Sequence, residues 1–306
     1  MSRSLALLAA GAACSVAVDA EGSFLLIPNS TTDQVVLLDA FDGTVLNTSF
    51  LDIATQATNA GVNSTPIEVL NVGNELWVSD QVADRIWRFG QNGGYLGDIG
   101  AGQLDNIRGM EVVGNTVYVA QGGSGGLGEG VTTIDVPSLT ITGNFGGAVP
   151  DDISLYDVFD YNGELLVTNI DSGNDAIQRY DYAGNFLGDF ATSDGLSDFD
   201  FLQQLAERGS NGNLLGGGFS VPSGVFEWQS DGTALGIVAG LDRGPRGVFE
   251  LGNGDVLWTN GNSISTDSVD LLTGGGFRYI TQTDVPAPGA LALLGLAGIA
   301  GRRRRL

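Results

Sequence analysis

Lysine and histidine are missing from all 306 residues, and cysteine occurs once. Without histidine the commonest general base is gone. Without lysine the Schiff-base amine and the phosphate-loop lysine go with it. The lone Cys14 lies in a segment expected to be removed, so the working protein is expected to hold no disulfide, thiol nucleophile or cysteine zinc site. Positive charge is scarce as well: 13 arginines stand against 36 acidic residues, for a net charge of −23. Such a surface does not bind nucleic acid by neutralising phosphates, nor an anionic lipid surface. It attracts cations and stays soluble by self-repulsion. Outside the C-terminus no stretch is long and apolar enough to span a membrane.

What the chain has in abundance is glycine, 48 residues of it, placed at recurring turns. One phrase returns as a strand, a Gly/Asn turn and a strand ending on a polar residue. It reads Val72-Gly73-Asn74-Glu75-Leu76-Trp77-Val78-Ser79-Asp80, then Val113 to Gln121, Tyr161 to Asn169 and Leu251 to Asn260. Glu21 to Asn29 and Asn211 to Gly218 are looser copies. A second phrase follows each: Arg85 to Phe89, Asn92-Gly93, then Tyr95 to Asp98; and Ile177 to Asp181, Ala183-Gly184, then Phe186 to Asp189. Val35 to Asp39, Val131 to Asp135, Val225 to Trp228 and Val269 to Leu272 are read as the same strand in other units. Alternating apolar runs around such turns are hairpin signals. Six units of about 40–50 residues with four short strands each predict an all-β, six-bladed β-propeller. A seven-bladed ring and a parallel β-helix are the competing architectures. No helical period of useful length appears outside the tail; Leu202 to Arg208 aligns with an inner strand. The text resembles NHL-like and strictosidine-synthase-like six-bladed propellers, without a diagnostic signature motif.

Propeller geometry sorts the loops onto two faces. The ends of the second strands and the inter-blade loops share one face, and the tight hairpins share the other. The first face gathers Asn29, Asp80, Gln121, Asn169 and Asn260 around the central channel. It also gathers Asp105, Arg108, Asp151, Asp152, Tyr156, Asp157, Asp198, Asp200, Asp242, Arg243 and Arg246. The functional reading is a cation or sugar site at the channel mouth, with Asp152 and Asp157 beside the five strand-end residues. The structural reading is that short polar side chains satisfy backbone groups where strands end. Calcium is the one cofactor to consider. Asp171 and Asp175 in one loop, and Asp198 and Asp200 in another, are its weak candidate ligands, although neither loop has EF-hand spacing. No catalytic residue is assigned.

The two ends carry an address. Residues 1–20 read as a signal peptide, with Arg3 before an apolar run, although Ser15 to Asp19 also resembles the innermost strand of the first blade. Residues 21–283 form the propeller. Residues 284–306 hold Val285-Pro286-Ala287-Pro288, an uncharged Ala/Leu/Gly stretch, and Arg302, Arg303, Arg304 and Arg305. The stretch is shorter than the roughly 20 residues of a simple span, and its basic end obeys the positive-inside bias. This tail resembles the PEP-CTERM sorting signal of Gram-negative bacteria, with Ala287 where that motif has Glu. The resemblance implies a short transmembrane sorting helix, export and an inner-membrane precursor. It also implies cleavage by an exosortase near the prolines, and release to the cell surface or outside. With both ends gone, 8 arginines face 34 acids, a net charge of −26. The expected function is a non-catalytic surface or matrix protein that binds extracellular polysaccharide or protein. The alternatives are a carboxylate- or metal-dependent carbohydrate-active or lactonase-like hydrolase, and a structural spacer.

Overall fold

The computed structural model describes residues 23–146, 154–170, 175–193 and 198–283. The expected signal peptide, the sorting segment with its proline and arginine motif, and Asp151, Asp152 and Asp171 lie outside these residues. Six four-stranded antiparallel sheets stand around one axis. Blade one holds β1 (Phe24–Asn29), β2 (Gln34–Asp39) and β3 (Val45–Asp52), followed by α1 (Ile53–Ala60). Blade two is β4 (Pro66–Val72), β5 (Glu75–Asp80), β6 (Arg85–Gly90) and β7 (Tyr95–Ile99). Blade three is β8 (Ile107–Val113), β9 (Thr116–Gln121), β10 (Gly130–Asp135) and β11 (Thr140–Phe145). Blade four is β12 (Ser154–Tyr161), β13 (Glu164–Ile170), β14 (Asp175–Tyr180) and β15 (Phe186–Ser193). Blade five is β16 (Leu202–Glu207), β17 (Leu214–Gly218), β18 (Gly224–Trp228) and β19 (Ala234–Ala239). Blade six is β20 (Val248–Glu250), β21 (Val256–Thr259), β22 (Ser263–Ser265) and β23 (Asp270–Thr273). The all-β, six-bladed expectation holds.

The ring closes with the other end of the chain. β24 (Thr281–Thr283) is the innermost strand of blade one, pairing Phe24 with Thr283, Leu25 with Gln282 and Leu26 with Thr281. The inner edge of β1 is therefore already occupied. Ser15 to Asp19 is not needed to complete the blade, which corrects the reading of that segment as its innermost strand. β24 runs from the loop face to the hairpin face, as every innermost strand does. Ser23 and Gln282 meet there, side chain to side chain at 2.5 Å. Both ends of the propeller leave from the hairpin face.

Two local readings are also corrected. A helix does occur outside the tail: α1 buries only Ile53 and Ala57, one turn apart, so it shows no repeating apolar stripe. Asp52 caps it by accepting from the Thr55 amide at 3.0 Å, and Gly61 ends it at φ +69°. In blade six the third strand is Ser263–Ser265, and Val269 to Leu272 belongs mostly to the outer strand. Three residues with one apolar member give no alternation to read.

Each sheet is buried on both faces, because each blade packs on two neighbours. Successive residues of β1 point to opposite sides. Leu26 joins a cluster with Val69, Val78 and Trp87 of blade two, while Leu25 and Ile27 join Leu251, Leu257 and Ile264 of blade six. This is why the second strands read as unbroken apolar runs. The first blade junction turns on one carboxylate. Asp80 is fully buried; its Oδ2 accepts from the Trp87 indole at 2.9 Å and the Ser64 hydroxyl at 2.6 Å. Its Oδ1 accepts from the amides of Thr65 and Ala83 at 2.8 and 3.0 Å. Asp80→Asn is expected to strand the indole N–H and cost about 2 kcal/mol, read as a Tm about 4–8 °C lower.

Candidate functional site

Most of the strand-end residues are spent on turns and inter-strand connections. Asn29 accepts through Oδ1 from Thr31 and Gly276 at 3.0 and 3.1 Å, tying the closing loop to blade one. Gln121 donates to the Gly125 carbonyl at 3.1 Å and to the Gly128 carbonyl. Asn260 accepts from the amides of Asn262 and Ser263. Asn169 Oδ1 is buried and unpartnered. With Asp80 at the blade junction, four of these five side chains build turns. Of the calcium candidates, Asp175 is buried and accepts from the Phe201 amide at 2.6 Å. Asp198 and Asp200 are more open to solvent. Among the described residues no group of three or more His, Cys, Asp or Glu is arranged to hold a metal ion.

The channel itself is lined by residues set in a repeated irregularity. The innermost strands carry bulges at Ile67, at Arg108 and Gly109, at Tyr156, and at Gln203 and Gln204. Bulges re-aim side chains and concentrate beside functional sites. Where blades six and one begin, Arg246 and Arg278 take the same place. Each donates its amide to the carbonyl at the end of the paired second strand, Thr259 and Pro28 respectively. The upper layer of the ring is thus Arg278, Ile67, Arg108, Tyr156, Gln203 and Arg246, from blade one to blade six. The layer beneath is Tyr279, Glu68, Gly109, Asp157, Gln204 and Gly247.

Tyr279 is fully buried, and its hydroxyl crosses the channel to the Tyr156 carbonyl of blade four at 3.0 Å. It separates the mouth from a cavity of about 370 Å³ below, lined by Glu68, Glu111, Asp157, Gln204, Phe159 and Phe249 among others. Asp157 therefore sits inside the channel, not at the mouth. In this lower layer each polar side chain clasps the next blade. Glu68 accepts from the Met110 amide, Asp157 from Leu205 at 2.7 Å, and Gln204 from Val248 and Ile280 at 3.0 and 2.9 Å. Burial, then the Asp157 charge, pushes the Glu68 carboxyl well above its ordinary range; burial does the same to Asp157. Glu111 is lifted to about 7, again by burial first.

The mouth is built differently. Four of the body's arginines pair with carboxylates: Arg85 with Asp98, Arg88 with Glu75, Arg179 with Glu164, and Arg208 with Glu227 and Glu250. Arg108, Arg246 and Arg278, all in the upper layer, make no ion pair among the described residues. Arg108 lies 3.7 Å over the Tyr156 ring and donates to Ser154 Oγ and the Leu155 carbonyl at 2.9 and 2.6 Å. Arg246 lies 4.3 Å over Phe219. Between those two cations runs an aromatic chain: Tyr156 to Phe201 at 4.8 Å, and Phe201 to Phe219 at 5.7 Å.

Phe201 holds φ +55°, a region a bulky aromatic rarely enters. The equivalent position in blade three is Asn106, whose carbonyl accepts from Gly122 as that of Phe201 accepts from Phe219. Asn106, at φ +52°, is the low-cost choice there. Arg108, Tyr156 and Arg246 were visible in the sequence as inter-blade residues. Arg278, Tyr279, Phe201 and Phe219 were not among them. The usable signal was the recurrence of Arg-Gly around the start of an inner strand, at Arg108-Gly109 and Arg246-Gly247, with Arg278-Tyr279 as its third form.

No protein-family profile matches the sequence, and no curated protein matches it. Solved structures share the six-bladed propeller fold. A chain of a nidogen/laminin complex aligns with a TM-score of 0.66 at 16% identity, covering 85% of this chain and 98% of that one. A streptogramin B lyase aligns at 0.53 and 11% identity, over 86% and 89%. A catalytically inactive His-to-Ala variant of virginiamycin B lyase from Staphylococcus aureus, with quinupristin, aligns at 0.50 and 14%, over 74% and 72%.

Proposed function

We propose that this protein is an exported, non-catalytic binding propeller that presents its loop face to a polysaccharide outside the cell. The observation that carries the reading is the aromatic chain Tyr156–Phe201–Phe219 beside the channel mouth, with Phe201 held in a strained backbone where asparagine would sit at less cost. Strain kept at a surface position points to use. Partly exposed aromatic rings next to hydrogen-bonding donors suit the apolar C–H face and hydroxyl rim of a sugar. The export half of the reading rests on the proline, apolar and arginine segments at 284–306. It agrees with the exit of both chain ends on the hairpin face, since a tail held in a membrane would leave the mouth pointing outward.

The test is Phe201→Asn. Relief of the left-handed strain is expected to leave Tm unchanged or raise it, offsetting about 1–3 kcal/mol, while binding on a glycan array falls at least tenfold. A variant that keeps full glycan binding overturns the assignment of the aromatic chain. Mass spectrometry of the secreted protein tests the export half; cleavage near Pro286 to Pro288 is the expected result.

The hydrolase reading keeps one observation, the buried Glu68 and Asp157 with raised carboxyls. Each, however, gives an oxygen to the backbone of the next blade. The lyase route has less: a single His-to-Ala change accompanies inactivity in the virginiamycin B lyase, and this chain has no histidine. Glycan turnover abolished by Glu68→Gln would favour the hydrolase.

A further inference from the structure

We infer that the channel mouth is an oxyanion site: Arg108, Arg246 and Arg278 receive the acidic group of a sugar acid, a uronate carboxylate or a sulfate ester, on the polysaccharide that the aromatic chain binds. The inference rests on the sugar-binding reading above and gives its ligand a charge.

The chain carries an excess of acids, so an arginine finds a carboxylate partner easily. Half of the body's eight arginines have done so. Of the four that have not, Arg243 is exposed on a loop, while Arg108, Arg246 and Arg278 stand at equivalent positions around one opening. A guanidinium offers five N–H donors in a fixed fork. Arg108 uses one nitrogen on Ser154 and Leu155, Arg278 uses Nε on Ser30 at 3.0 Å, and Arg246 reaches Gln203 at only 3.4 Å. Arg108 is only 5% exposed, and its Nε is buried without a partner, as is that of Arg246. A buried cation without a counter-charge is costly unless something supplies one. Tyr156 and Tyr279 lie within electrostatic reach of all three guanidinium groups, Glu129 within reach of Arg108 though not in hydrogen-bond contact with it, and Arg246 within reach of Arg278. Burial, with the like charge of Arg246 behind it, lowers Arg278 to about 10.

The lower carboxyls do not fill the role. Tyr279 stands between them and the mouth, and each is tied to a backbone amide of the next blade. The ring faces fix the guanidinium planes: Arg108 on Tyr156 and Arg246 on Phe219. Their edges are left as the groups able to fork onto a planar or tetrahedral oxyanion. The acidic surroundings are no obstacle at contact distance, because exposed charges beyond about 8 Å are screened at physiological salt.

The experiment uses the full propeller with oligogalacturonate, a sulfated oligosaccharide of matched length and a neutral cello-oligosaccharide, titrated by calorimetry. The expected result is preference for one or both acidic probes over the neutral one. Arg246→Gln with Arg278→Gln should then weaken acidic binding at least 30-fold and neutral binding by no more than about threefold. These two are the more exposed arginines, so the variant keeps the buried Arg108 in place; its melting curve reports folding. Arg246→Lys, which retains charge without the fork, should weaken acidic binding about tenfold. The two acidic arms separate carboxylate from sulfate recognition. Equal binding of acidic and neutral probes, or acidic binding that survives in the double variant, overturns the oxyanion site while the sugar reading stands. Binding of none of the three overturns both.

Discussion

A chain ended after Tyr279 is expected to lose its cooperative unfolding transition, while one ended after Asp284 melts as the full chain does. The deleted residues include all of β24. Ile280 is 3% exposed in the cluster between blades six and one, and losing such a side chain costs about 2–5 kcal/mol. Its amide and carbonyl both bond to Gln204 of blade five. The three-pair ladder with β1 goes too, at about 1 kcal/mol for each hydrogen bond. Buried Gln204 and Glu68 would be left with unmet polar groups, and β1 would become an open inner edge. The loss is on the order of 6–10 kcal/mol against a typical total of about 5–15 kcal/mol. Circular dichroism melts of the two truncations decide it. A loss below about 2 kcal/mol in the shorter chain would mean that the ring does not depend on its closing strand.

Raising the pH from 4 to 8 is expected to destabilise the propeller. Glu68, Glu111 and Asp157 hold folded-state pKa values above their unfolded ones. Between the two values the folded state binds more protons, so stability falls as pH rises. For Glu111 the window runs from the ordinary glutamate value of 4.5 to about 7. At 1.36 kcal/mol per pH unit that is about 3 kcal/mol, reduced to about 2 kcal/mol because Glu111 keeps some solvent contact. Carboxylates held low, such as Glu75 beside Arg88 and Glu164 beside Arg179, act oppositely and lose their contribution below the ordinary carboxylate range. Maximum stability is therefore expected between about pH 4 and 6. Glu68→Gln with Asp157→Asn should leave stability near pH 4 little changed and flatten the decline above it. Both replacements keep an acceptor for the Met110 and Leu205 amides. Urea denaturation at pH 4, 6 and 8 reads the slope. A double variant that is less stable than the parent at pH 8 would show that these carboxyls are ionised and hold the blades together by charge.

The blades were legible because their signals are local. Asn92-Gly93 and Ala183-Gly184 set positive φ at fixed intervals, +83° and +85° at the two glycines, between apolar runs. Ring closure was not legible, because Thr281-Gln282-Thr283 has no apolar alternation and its partner is more than 250 residues away. The strand-like text at Ser15 to Asp19 offered a nearer candidate. The mouth was half legible: tight turns and strand-end polar residues look alike whether they bind a ligand or cap a turn. What separates Arg108 and Arg246 from Arg88 or Arg179 is the lack of a carboxylate opposite, and that is a property of assembled blades. Phe201 was hidden for a related reason, since its strain is a backbone angle that composition does not record.

The placement of β24 also decides how the molecule carries tension. A load between a polymer at the mouth and an anchor beyond Thr283 runs along the axis of that strand. It shears the three-pair ladder to β1, so the pairs resist together. Pulling the two chain ends apart at the hairpin face would instead peel the same ladder open one pair at a time.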